Sequence, residues 1–215
     1  MLDSGIQGPG VSVRRDGLNS PAQSPAPLRQ PTLDFAFAHA WQAEILPARP
    51  IILPPRNFVY PASAEEVERG ALEVLVRPAG TAAQPFLATC ALGFRDPAVP
   101  TGLWSAPNPQ ELCAVSGGYA YLIDTTAPAD FTMIAYRPVL EVRPATADDL
   151  LLFIGHCSIL AWGKSGKAWE SKKLSDEGVT IVSIEPGKLH GLGWELLTDK
   201  ETAFSIDLSA GQLIP

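Results

Sequence analysis

LLLFIGHCSILAWGKSGKAWES, residues 150–171, decides the fold. Its strand-like runs, at 150–155, 158–163 and 167–171, are separated only by His156-Cys157 and by Lys164-Ser165-Gly166. Runs this short, bounded by turn formers, read as strands, since a helix needs ten or more residues. Toward the C-terminus the pattern continues at 179–184, 189–195, 202–208 and 212–214, with Pro186-Gly187 and Ala210-Gly211 marking tight turns. Toward the N-terminus it recurs at 71–77, 86–94, 112–115, 119–124, 131–136 and 139–142, with a further edge strand expected at 33–37. The prolines at 47, 50, 54, 55 and 61 predict an extended, irregular crossing between them. Ser63 followed three residues later by Glu66 has capping-box spacing and predicts one short helix over 63–70. The expected fold is mainly β: antiparallel sheets of short strands in a propeller-like, sandwich or barrel arrangement.

Composition agrees. The 215 residues include 21 prolines and 18 glycines, too many breakers for a helical bundle. Residues 1–31 hold five prolines, four glycines, four serines and no aromatic residue, and are expected to form a disordered tail. A single β-rich domain is expected over 32–215. Two halves meeting near 145 would explain why every arginine precedes residue 144 and every lysine follows residue 163.

The stretch Ile159-Leu160-Ala161-Trp162-Gly163-Lys164-Ser165-Gly166-Lys167-Ala168-Trp169-Glu170 resembles a β-propeller blade of the pyrroloquinoline-quinone-enzyme type. The resemblance implies a hairpin in which Gly166 supplies the turn and Trp169 docks between neighbouring sheets. Residues 204–213 look like a degenerate second copy, and 103–105 with 112–115 and 119–124 a looser one. It implies no quinone, because no cofactor ligands map onto this chain.

Several chemistries lack their residues. The net charge of −7 and pI near 4.9 oppose a nucleic-acid partner, which calls for a basic face. No run reaches the ~18 apolar residues that a membrane span requires. Cys90, Cys113 and Cys157 form no disulfide framework, and with no secretory signal the expected compartment is the cytoplasm. Gly163-Lys164-Ser165 lacks the earlier glycine of a phosphate-binding loop. His156, Cys157 and His190 have no chelating spacing, so no metal and no cofactor is expected. Cys157 with His190 and Asp207 can be named as a nucleophile, base and orienting acid, but nothing in the spacing selects them. The carboxylate pairs Glu65-Glu66, Asp148-Asp149 and Asp176-Glu177 read as solvated edge and turn residues.

The functional expectation is therefore a non-catalytic domain that binds a protein partner or self-associates through a sheet face or edge. A small-molecule or carbohydrate-binding protein, or a hydrolase, with a cleft around Trp162, Trp194, His190 and Glu195 is the alternative. A second alternative is a subunit whose sheet completes a larger β assembly.

Overall fold

A strand directs successive side chains to opposite faces, so a sheet packed on both sides must be apolar at every position. That is the character of residues 150–154, and the computed structural model, which describes residues 30–62, 69–80 and 84–214, places them inside a stack of sheets. Four sheets lie side by side, numbered here by their order in the stack. The first holds β2 (Trp41–Leu46), β3 (Asn57–Tyr60), β4 (Ala71–Pro78) and β5 (Phe86–Ala91), in the spatial order β2-β4-β5-β3. The second holds β1 (Thr32–Asp34), β6 (Gly102–Ser105), β7 (Glu111–Ser116), β8 (Tyr119–Asp124) and β9 (Phe131–Met133) in that order. The third is a meander of β10 (Glu141–Ala145), β11 (Leu150–Ile154), β12 (Ile159–Gly163) and β13 (Gly166–Glu170). The fourth is a meander of β14 (Val179–Glu185), β15 (Lys188–Glu195), β16 (Lys200–Asp207) and β17 (Gln212–Leu213). A 3-10 turn at Thr146–Asp148 links β10 to β11.

Three apolar clusters join the sheets. Val74, Val76, Phe86 and Cys90 of the first sheet meet Leu103, Leu112, Ala114 and Tyr121 of the second. The alternate residues of the second sheet, Trp104, Cys113, Val115 and Leu122, turn the other way onto Leu151, Phe153, Leu160 and Trp162 of the third. Leu152, Ile154, Ile159, Ala161 and Trp169 then face Val179, Leu189, Ile206 and Leu208 of the fourth. Among the described residues no cluster joins the first sheet to the fourth, so the stack has two ends and does not close into a barrel.

The mainly β class and the turns at Gly166, Gly187 and Gly211 are present as expected. Ser116-Gly117-Gly118 is a hairpin between β7 and β8, and both glycines have positive φ (56° and 76°), as a type I′ turn requires. Trp169 lies in the seam between the third and fourth sheets, its indole N–H donating to the Leu208 carbonyl at 2.6 Å. Two strand pairs depart from the antiparallel expectation: β1 runs parallel to β6, and β3 parallel to β5. The edge strand expected at 33–37 is the shorter β1; β2 and β3 went unread, and β6 was read only as residues 103–105 of the looser blade copy. β3 is hidden in the sequence because prolines bracket it, yet Pro55 and Pro61 lie outside its four residues and cost it no ladder bond. The helix expected over 63–70 and the tail at 1–31 fall largely outside the described residues.

The pairing of β1 depends on Gly102, where an added Cβ would collide with the Thr32 backbone on the facing strand. Gly102→Ala should detach β1 and cost about 1–3 kcal/mol in urea unfolding. Hydrogen exchange should then speed up at residues 32–34 while β7 and β8 keep their protection. Unchanged exchange at residues 32–34 would contradict this account.

Candidate binding groove and the open end face

The strands β1, β10 and β14 are each the first of their sheet in space and, among the described residues, pair on one side only. Their other edges open onto one groove of about 1310 Å³, floored by residues of the 92–101 loop. Asp34, Arg69, Arg95, Asp96, Glu141 and Arg143 supply three charges of each sign around it. Arg143 Nε is paired with Glu141 Oε1 at 2.5 Å, and Arg95 donates to the Arg69 carbonyl at 2.7 Å. Asp96 accepts the Ala98 N–H at 2.8 Å and so fixes the loop. Val182 (63% exposed) and Phe94 (41%) give the groove apolar contact surface.

The four residues expected around a cleft do not converge. Trp162 is buried between the second and third sheets, where its indole N–H donates to Glu111 Oε2 at 2.8 Å. It cannot stack on a ligand from there. His190 and Trp194 lie two strand steps of two apart on β15, on the face of the fourth sheet that points away from Leu189 and the stack. His190 Nδ1 is 2.8 Å from Ser205 Oγ on the neighbouring strand, and the Trp194 backbone is held by Ser175. Glu195 is at the end of β15, exposed, accepting a bond from Thr198 within the hairpin tip. Two of the four therefore share a surface, and that surface is a sheet face at the end of the stack.

The other constellations resolve similarly. Cys157 Sγ contacts the Asp176 carbonyl at 3.6 Å, His190 is tied to Ser205, and Asp207 accepts the Ser209 N–H and hydroxyl, so each member of that triad is engaged elsewhere. Asp176 is ion-paired with Lys173, whose bond holds its carboxyl below the usual range. Asp148 receives the Gly187 N–H at 2.9 Å. Burial pushes the Cys90 and Cys113 thiols well above their usual range, the reverse of what a nucleophile needs. Among the described residues no three His, Cys, Asp or Glu side chains are grouped to hold a metal, and no helix is long and apolar enough to cross a membrane. Sequence reasoning missed the groove because strand edges build it: its charged residues come from β1, β10 and loops, with no shared motif.

No protein-family model and no curated protein matches the chain. Among solved structures, the N-terminal domain of Nup159 is similar to it at 10% identity and a TM-score of 0.36. The match covers 86% of this chain and 52% of that one, so the chain spans about half the length of that structure.

Two measurements check these environments. A thiol reagent at neutral pH should label Cys157, which is half-buried, and should reach Cys90 and Cys113 only after unfolding; rapid native labelling of either buried thiol contradicts the assignment. Burial raises the Glu111 carboxyl despite the bond from Trp162. Its stabilising contribution is then present below the unfolded value of about 4.3 and lost as pH rises through the raised folded value. Glu111→Gln keeps an acceptor for Trp162 and should gain on the wild type in stability as pH rises above about 4. A difference that stays flat with pH would remove this explanation.

Proposed function

We propose that the chain is a non-catalytic protein-binding domain that takes an extended segment of a partner polypeptide into the groove at β1, β10 and β14. The observation that carries this reading is the convergence of three one-sided strands on one cavity. An edge strand presents a row of backbone donors and acceptors that an extended peptide can satisfy as an added strand. Backbone pairing supplies affinity, while the pockets between strands select side chains. At about 1310 Å³ the groove exceeds the usual volume of a drug-sized site, roughly 300–1,000 Å³, and suits a length of chain. Its mixed lining favours a segment carrying both charges around an apolar centre, because Val182 and Phe94 lie among three basic and three acidic side chains.

The test is to pan a random peptide library against the full chain and measure the selected peptides by fluorescence anisotropy. Val182→Lys and Arg143→Glu, both at exposed groove positions, should each weaken binding about tenfold or more, as the loss of a central contact does. Amide exchange should slow along β10 and β14 when the peptide is bound. Selected peptides that are indifferent to both substitutions, or that protect amides elsewhere, would overturn the reading.

A further inference from the structure

The two ends of the stack differ in shape. In the first sheet the connection 47–56 must pass from the β2 edge to the β3 edge, across β4 and β5. Pro47, Ala48 and Arg49 border a small cavity with Glu73, which points away from the second sheet, so the connection runs over the outer face of the first sheet. Among the described residues nothing covers its crest: Ile51 is fully exposed, Ile52 is 87% exposed, and Leu53 is partly exposed beside them. Large aliphatic residues this bare, and contiguous, are uncommon on a monomer surface. Prolines on both sides, at 50, 54 and 55, stiffen the crest, so little entropy remains to be lost on docking.

At the other end the fourth sheet is, among the described residues, covered on one face only. Its outer face carries Leu192 and Trp194 of β15, half-buried, with the exposed Ala203 of β16 directly opposite Leu192. The small side chain of Ala203 leaves Leu192 open to solvent on that side. Charge is complementary as well: residues 47–56 hold two arginines and no acid, whereas Glu201 stands opposite Trp194 on the outer face.

We infer that the occupant of this end face is a second copy of the chain: the Ile51-Ile52 crest of one copy docks on the Leu192–Ala203 face of the next. The contact is head-to-tail, between unlike surfaces, so it either closes into a ring or continues as a chain of copies. It lies outside the groove and uses other residues, so it stands or falls apart from peptide binding there.

The experiment is sedimentation velocity on the full chain from about 1 μM to 1 mM, the range of modest affinities. Two blocked variants accompany it: Ile52→Asp at the crest, and Ala203→Arg, which sets bulk and positive charge on the outer face beside Leu192. Both positions are exposed, and circular dichroism checks that the fold is kept. The wild type should associate with rising concentration, and each variant alone should associate at least about tenfold more weakly. An equimolar mixture should form a one-to-one dimer and nothing larger, because each variant retains the surface the other has lost. A wild type that stays monomeric throughout overturns the inference. So does Ile52→Asp associating as the wild type does, or a mixture that stays monomeric when both variants are.

Discussion

The period-two alternation of a β-strand is the constraint on which the rest of this molecule depends. Each inner sheet is covered on both faces, so its strands must be apolar at consecutive positions, and the two sets of alternate side chains must each match a different neighbour. β7 sends Leu112 and Ala114 to the first sheet and Cys113 and Val115 to the third. β11 divides Leu151 and Phe153 from Leu152 and Ile154 in the same way. Slipping either strand by one residue would exchange every partner at once, so register and sheet order are fixed together. A fully buried leucine, isoleucine or phenylalanine contributes about 1.5–3 kcal/mol, and these two strands bury such residues on both sides.

Polar groups inside the seams are few, and apart from the buried Ser116 hydroxyl most are matched. Trp162 donates to Glu111, Trp169 to the Leu208 carbonyl, Tyr60 to the Pro128 carbonyl and Tyr121 to the Ala91 carbonyl. Each aromatic ring brings apolar area to a seam while its polar tip reaches a neighbouring element, so the bond ties two elements that the ring alone would only press together. Even the one buried carboxylate of the first sheet, Glu73, receives the Thr89 hydroxyl at 2.7 Å.

The same alternation explains what could be read in advance. Unbroken apolar runs at 119–124 and 150–154 mark strands covered twice, and the mainly β class followed from them. β15, with His190, Leu192 and Trp194 alternating with buried Leu189, has the pattern of a sheet covered once, and so of an end. The prolines hid β3, because a breaker just outside a strand looks in sequence like one inside it. Parallel pairing of β1 was invisible, since its partner lies beyond the entire first sheet. Trp162 looked like a binding residue because tryptophan suits both cores and surfaces, and only its strand's place in the stack decides between them. The groove had no sequence signature at all, since unpaired backbone edges are a property of topology.

The chain enters the second sheet at β1, leaves it to build all of the first, and returns at β6. A three-residue strand gains little by closing so long a detour, given that closure entropy grows with loop length. Its tether is shorter in practice: the Phe37 N–H is bonded to Ser105 Oγ, the Ala40 N–H to the Pro109 carbonyl, and the Trp41 indole to the Glu111 carbonyl. Once the first sheet has docked and these bonds exist, β1 is held beside β6 at high effective concentration; before that it is not. Assembly therefore has a built-in order, in which the N-terminal strand is placed late, and the groove acquires its third wall only after the first sheet has docked on the second.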